Sequence, residues 1–552
     1  MSTFLILITY YWIITFSIIG YGIFFNNFFF KKSDNIGFIG IYGIFFLILL
    51  SYMVSFFMPH TKLLNSSILL IGLVNFLVNM NKNIIKKNIN TLLSVFTILI
   101  VFILLAKNHD DFSYYHFPYT HLLTEYSNMV GLGNFNHGFR THSSIFYLSS
   151  LFNLPYSNFY LLHLSPVFFM GFANVILYNK ILLYLDSKKI NYILYLSLLS
   201  LVFINVFFSR LGEHGTDRSA MILIIITVIE LLYLINQNKI IDRVSFLKLL
   251  IFITLIISLK TFYILHCLLF IPIIWYFKER RISLIFLFKN PISYLCLAMV
   301  FLMLTVNFFN SGCLLYPVKS TCFESFSWSI PINEVERMNS WYQQWAKAGA
   351  NPNYRVENPE IYIKNFNWVS NWIDMYFFNK VSDFLLGLVF LCLIVWLTFF
   401  SKKIQNYKKP KFWLTYVIII FLTLEWFYVL PALRYGGYHL IALLFLIPLS
   451  IFLSRYSIKS KTLKKKIYFI IFLTIIVFVS RNVLRINKEY HVYNYNILNN
   501  AFYWDQQKNF NIYKRIKNLH QCYIEDDKSL CLDSNIKVKF LNNSYIYYKQ
   551  KK

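Results

Sequence analysis

The sequence predicts an all-α polytopic membrane protein with about fourteen transmembrane helices. Two observations carry this. Charged residues make up only 14 % of the chain and apolar residues 57 %, whereas a soluble domain carries roughly a quarter charged residues. Apolar runs long enough to span a bilayer as helices also recur from one end to the other. A third observation orients them. Lys and Arg cluster in alternate short loops, as the positive-inside rule requires. Such loops hold Lys31/Lys32, Lys86/Lys87, Lys188/Lys189, Arg243/Lys248, Arg280/Arg281, Lys402–Lys411 and Arg455–Lys466. The net charge of +28 therefore reads as topology and not as a nucleic-acid surface.

The spans fall near 3–24, 36–58, 63–80, 91–106, 157–178, 190–208, 219–236, 244–259, 261–277, 291–309, 384–400, 412–430, 439–454 and 466–480. The first has no basic segment before it and no small-residue cleavage site, so it reads as a retained span. The pair 244–259 and 261–277 splits at "SLKT", with both flanks strongly basic, and Lys260 sits at the outer end of the turn. With the basic loops in the cytoplasm, both termini lie outside. The chain then divides into a transmembrane domain, 1–480, and an extracytoplasmic tail, 481–552. The tail reads as a small ordered cap. Two large outer loops interrupt the domain at 107–156 and 310–383.

In the first outer loop, apolar residues at 112, 115, 119, 122, 123, 126 and 130 have helical spacing. Ser113, His116, Thr120, Thr124 and Glu125 lie opposite. This predicts a helix lying in the membrane surface. In the second, "NEVERMNSWYQQWAKAG" begins with an Asn-x-x-Glu pair at Asn333 and Glu336 and ends at Gly349. These are an N-cap and a stop signal. Val335, Met338, Trp341 and Trp345 share one face, again predicting a surface helix. Cys267, Cys296 and Cys392 lie in predicted spans as packing residues. Cys313/Cys322 and Cys522/Cys531 share one spacing and fall outside, where disulfides can form.

The residues suited to chemistry start at "NHDDFSYYHFPYTH". Asp110 and Asp111 stand where the chain leaves a span. Tyr115, His116, His137, Arg140 and His142 follow within the loop. Sugars are bound by such mixtures, because a sugar ring offers hydroxyls on its rim and C–H groups on its faces. A carboxylate there could take a proton from an attacking hydroxyl. The loop "SRLGEHGTDRSA" packs Arg210, Glu213, His214, Asp217 and Arg218 into nine residues. It could hold a divalent cation, Mg or Mn, through Glu213, His214 or Asp217, or pair its own charges.

The acidic pair outside a span, the aromatic helix after it and "THSSIFYLSSLF" resemble the GT-C superfamily of integral-membrane glycosyltransferases, of the polyprenyl-phosphate-sugar type. His142, Ser143, Ser144, Ile145, Phe146 and Tyr147 stand where that family has a His-Pro-Pro-Leu-Tyr-Tyr-like stretch, without its two prolines. Arg434, Tyr435 and Pro448 in "PALRYGGYHLIALLFLIP" match a late Arg-Tyr element. Four spans precede the acidic loop here, where the family usually has one. The 310–383 loop also resembles that of uncharacterised bacterial polytopic membrane proteins.

The resemblance implies a GT-C-like fold in a bacterial inner (plasma) membrane with its active site facing outward. It implies transfer of a sugar from a polyprenyl-phosphate donor to a glycan, lipid or protein acceptor. Asp111 or Asp110 would be the base. Arg434, Lys260, Arg210 and Arg218 would bind the donor phosphate, where negative charge accumulates. Tyr115, His116, His137, Arg140, His142 and His439 would bind substrate. An O-antigen ligase or polymerase has similar loops but needs no early acidic pair. A lipid-linked oligosaccharide flippase should carry ionisable residues at mid-membrane, where these spans are almost free of them. Glu230 and Glu425 are the acidic exceptions and lie nearer span ends. A scaffold without activity is the third class.

Overall fold

Each apolar run folds into a helix, the form that satisfies its backbone without water. Helices α1 (Thr3–Phe25), α2 (Ile36–Ser55), α3 (Lys62–Asn79) and α4 (Asn83–Ile103) precede the first long loop. That loop contains α5 (Phe117–Glu125) and α6 (Ser144–Ser150). Next come α7 (Ser165–Asp186), α8 (Tyr192–Phe207), α9 (Gly215–Ile235) and α10 (Arg243–Leu259). After a 3-10 helix, Thr261–Leu269, follow α11 (Phe270–Glu279), α12 (Ile285–Phe288) and α13 (Pro291–Ser311). The second long loop holds α14 (Ile332–Lys347), α15 (Pro359–Tyr362) and α16 (Val369–Trp372). Helices α17 (Ser382–Phe399), α18 (Trp413–Val429), α19 (Gly437–Leu453) and α20 (Ser460–Tyr493) follow, and the tail adds α21 (Asn511–Tyr523).

This computed structural model describes residues 3–30, 35–80, 83–104, 111–157, 161–186, 191–209, 215–236, 243–280, 282–350, 356, 358–402, 410–493, 498, 511–524, 535–541 and 544–549. Among them, nine helical segments are long and apolar enough to cross a membrane. The chain is a mostly helical, multi-pass membrane protein. Helices α2, α7 and α9 are buried almost all round and form the centre. Helices α3, α13, α17 and α20 leave most of their apolar surface outward, including Leu70, Leu297, Phe390 and Phe472. Such faces suit lipid contact.

Two spans differ from expectation. In the segment predicted at 157–178, residues 161–164 are not helical and the helix begins at Ser165, because Pro166 suits a first helical turn and not a helix interior. The last span runs on to Tyr493 instead of ending at 480.

Helix α1 packs on two neighbours through glycines. A Cβ on Gly20 would lie 1.8 Å from the Gly72 carbonyl oxygen on α3, and one on Gly22 would lie 1.8 Å from that of Ile39 on α2. Small residues let backbones approach this closely. Gly22→Ala should therefore force α1 and α2 apart. The expected cost is about 1–3 kcal/mol, read as a lower melting temperature in detergent.

The chain is mostly helical, as expected, and the tail adds a small sheet. Strands β2 (Ile536–Leu541) and β3 (Ser544–Lys549) pair antiparallel, and β3 pairs parallel with β1 (Met129–Val130) in the first long loop. The sheet order is β1-β3-β2. Asn134 Nδ2 donates to the Trp328 carbonyl at 3.0 Å and to that of Tyr547 at 3.2 Å. Both long loops and the tail thus meet on one side of the bundle, as the charge alternation requires. At the other ends of the helices, Glu230 pairs with Lys180, and Lys411 Nζ lies 2.7 Å from Glu279.

Cys313 and Cys322 form a disulfide, as their spacing suggested. Cys522 is also disulfide-bonded, while Cys531 lies outside the described residues. Reducing Cys313–Cys322 should cost roughly 2–3 kcal/mol, the chain entropy of so short a loop. Thermal melts with and without reductant, compared between wild type and Cys313→Ser/Cys322→Ser, read this.

Candidate functional site

Four helix ends on the loop side bring four charges together. Asp111 leads into a π-helical turn, Phe112–His116, that feeds α5. Asp217 is in the first turn of α9, where the helix dipole favours a carboxylate. Lys260 follows the end of α10 in extended conformation, breaking the helix as the "SLKT" split predicts. Arg434 lies in a 3-10 turn, Leu433–Tyr435. Gly436 closes this turn at φ 145°, which a residue with a Cβ rarely adopts.

Arg434 Nη2 stands 3.1 Å from Asp111 Oδ2, and its Nε 3.5 Å from Asp217 Oδ2. Lys260 Nζ takes the other oxygen of Asp217 at 3.3 Å. Asp217 is 2 % exposed, while Asp111 and Arg434 are about a quarter exposed. One guanidinium therefore joins a buried carboxylate to one open to the loop side. Burial works against the Arg434 charge. Tyr435, Asp217 and Asp111 outweigh that, so the group is held more firmly protonated than usual.

Aromatic rings surround this cluster. Trp345 of α14 and Tyr435 lie over the Arg434 guanidinium at 5.8 and 5.4 Å. Tyr435 contacts Trp345 at 5.8 Å and Phe262 at 5.6 Å between ring centres. Burial, with Asp111 beside it, pushes the Tyr115 phenol well up, so it remains a neutral donor.

The other residues singled out by sequence divide into three groups. Tyr115 and His116 meet edge to face beside Asp111, and His116 also packs on Phe146. His137 lies among Tyr114 and Trp341, at 6.1 and 5.7 Å. Burial and nearby Arg140 hold its imidazole below its ordinary range, with Asp111 opposing. Arg218 stacks between Phe208 and Tyr438, at 5.7 and 5.8 Å.

Arg140 and His142 serve the scaffold. Arg140 pairs with Glu334 and donates to Tyr316 Oη at 3.0 Å and the Gly133 carbonyl at 2.8 Å, clamping the two long loops. His142 is locked between Tyr52 Oη and Asn307 Oδ1, each at 2.8 Å. His439 meets His266, Nε2 to Nε2, at 3.1 Å.

Asp110, Arg210, Glu213 and His214 lie outside the described residues. Among the described ones, no three potential metal ligands come together, and Asp217 pairs with Lys260 and Arg434.

The α5 region is helical as predicted, but Phe117–Thr124 is buried on both faces, not laid on a surface. Helix α6 packs on it, and His520 of the tail helix α21 meets Tyr126 at its end. Helix α14 starts at Ile332 without a side-chain cap, so Asn333 is not its N-cap. Gly349 ends it at φ 85°, as expected. Val335 is buried on the disulfide and Met338 packs beside it, while Trp341 and Trp345 face the site.

A family model for a domain of unknown function, DUF8201, matches residues 4–441. The chain belongs to this family. The match spans Asp111, Asp217, Lys260, Arg434 and His439, the whole cluster. No curated protein and no solved structure matches the chain.

Sequence reading missed Tyr263, His266, Trp345 and Glu334 as neighbours of the site. A signal was present for two of them. In "KTFYILHCLL" the residues Tyr263, His266 and Leu269 recur every three positions, and these are the buried ones. That period belongs to a 3-10 helix, where i and i+3 eclipse.

The buried histidines outside the spans give a pH dependence. Burial pulls His60, His142 and His520 down to about 4 from an ordinary 6.5. The unfolded chain therefore binds protons that the folded one does not. Stability is full above pH 6.5 and falls as pH drops from there toward 4. Melting temperatures across this window should show the decline. In His142→Gln the decline should be shallower.

Proposed function

We propose that this protein is an integral-membrane glycosyltransferase that uses a polyprenyl-phosphate sugar and inverts the anomeric carbon. One observation carries the reading. Asp111 and Arg434, 323 residues apart in sequence, meet at 3.1 Å at the mouth of the bundle. A carboxylate beside a cation suits a displacement that needs a base and a charged leaving-group site. Asp111 takes the proton from an acceptor hydroxyl, and the oxygen attacks the anomeric carbon. The carbon–oxygen bond to the phosphate breaks, and the phosphate leaves with its electron pair against Arg434. Lys260 balances Asp217 and so acts on the phosphate only through that pair. Asp217 is committed to two cations, and the displacement is written without a metal ion.

In this reading the chain crosses a bacterial plasma membrane fourteen times, with the site outward. The gathering of both long loops and the tail on one side supports that topology. So does the disulfide, which suits an oxidising compartment.

The test compares envelope glycolipids, polysaccharides and glycoproteins by mass in a deletion strain restored with wild type or Asp111→Asn. A single sugar mass should vanish, returning with wild type and not with the variant at equal protein level. Full restoration by Asp111→Asn would remove Asp111 from catalysis. Loss of whole polymer chains would favour a ligase or polymerase.

A further inference from the structure

The buried end of the cluster holds polar atoms without partners. Asp217 Oδ2, Arg434 Nε and the Tyr263 hydroxyl are buried and make no hydrogen bond among the described residues. The first two face each other at 3.5 Å, within ion-pair range only. Tyr263 is 1 % exposed; its backbone N–H donates to the carbonyl of Lys260, the partner of Asp217, at 2.9 Å, and its neighbour Phe262 packs on Tyr435 at 5.6 Å. Buried polar groups are nearly always bonded, so several orphans together mark a missing partner.

The chemistry of the three atoms constrains that partner. Asp217 Oδ2 needs a donor, Arg434 Nε needs an acceptor, and Tyr263 accepts or donates. A phosphate dianion has no proton for Asp217 and would be repelled by it. A hydroxyl donates to the carboxylate and accepts from the guanidinium at once. Trp345 and Tyr435, stacked on Arg434, supply flat faces beside it. A ring with C–H faces and a hydroxyl rim fits both features.

We propose that Asp217, Arg434 and Tyr263 form a hydroxyl-binding floor for a pyranose ring, with Trp345 and Tyr435 as its walls. This rests on the transferase reading and deepens it. The sugar occupies the buried end, and the phosphate lies toward the Asp111 side of Arg434. Tyr263 is the residue newly assigned, as a substrate-binding group.

Tyr263→Phe separates binding from folding. Removing a buried hydroxyl that has no partner should leave the melting temperature equal or higher. The experiment uses the full chain in lipid nanodiscs. Methyl hexopyranosides and methyl pentopyranosides are titrated by saturation-transfer NMR and, as a contrast, inorganic phosphate is titrated by phosphorus NMR line broadening.

At least one glycoside should bind wild type. Its Kd should rise about threefold to tenfold in Tyr263→Phe, the loss of one hydrogen bond. Phosphate binding should not change. Equal glycoside binding by both proteins would mean that solvent alone fills the floor, and would overturn the proposal. So would a variant that weakens phosphate instead, or a wild type that binds no glycoside. A failed titration with an altered glycan profile in the Asp111→Asn strain removes this assignment alone. An unaltered profile in the deletion strain itself removes the transferase reading, whatever the titration shows.

Discussion

Arg434→Lys should lower sugar transfer by about 10²–10³-fold, the typical effect of removing one preorganised donor at developing charge, while the protein still folds. The substitution keeps a positive charge, so a role as a mere counter-ion would tolerate it. The geometry argues otherwise. Arg434 reaches Asp111 through Nη2 and Asp217 through Nε, and its plane lies against Trp345 and Tyr435. A lysine ammonium is a point charge and cannot bridge two carboxylates while stacking on two rings. The measurement is the envelope glycan mass profile, with protein level and melting temperature as controls. Restoration equal to wild type would show that only charge matters at 434 and that neither the bridge between the carboxylates nor the ring stacking is needed.

Much of this architecture was legible. The apolar runs placed the helices, because a backbone in lipid must close its own hydrogen bonds. The alternating Lys and Arg placed both long loops and the tail on one side, where the structure joins them through Asn134, Arg140–Glu334 and the β1–β3 pair. Arg434, Lys260, Asp217 and Asp111 were each visible as charges at span ends.

Their pairing was not legible. It depends on which helix ends approach one another, and no local pattern encodes that. The sheet was missed for a similar reason. Strand β1 is two residues long and has no periodicity of its own, and it exists only because β3 lies beside it. Arg140 and His142 were singled out as substrate ligands because their residue types suit sugars, and their protein partners were not visible. Glu334 and Asn307, which occupy them, come from 194 and 165 residues away.

The second large effect is on stability. Asp217→Ala should cost about 3–5 kcal/mol, because it leaves Lys260 and Arg434 at a buried site without their shared anion. Lys260→Met should cost less, since Arg434 still faces Asp217. The double variant Asp217→Ala/Lys260→Met should recover most of the loss, because it removes the unmatched charge with its partner. Thermal unfolding of the four proteins in one detergent closes the cycle. Additive losses would mean that the 3.3 Å contact carries no coupling, and Lys260 would again be available to a phosphate. Strong coupling fixes the division of labour. Lys260 and Asp217 then hold the outer ends of α9 and α10 together, and Arg434 is the cation left to act toward Asp111. In that case activity without loss of stability should follow Asp111 and Arg434, stability should follow Lys260, and Asp217 should affect both, because it pairs with Lys260 and lines the hydroxyl-binding floor.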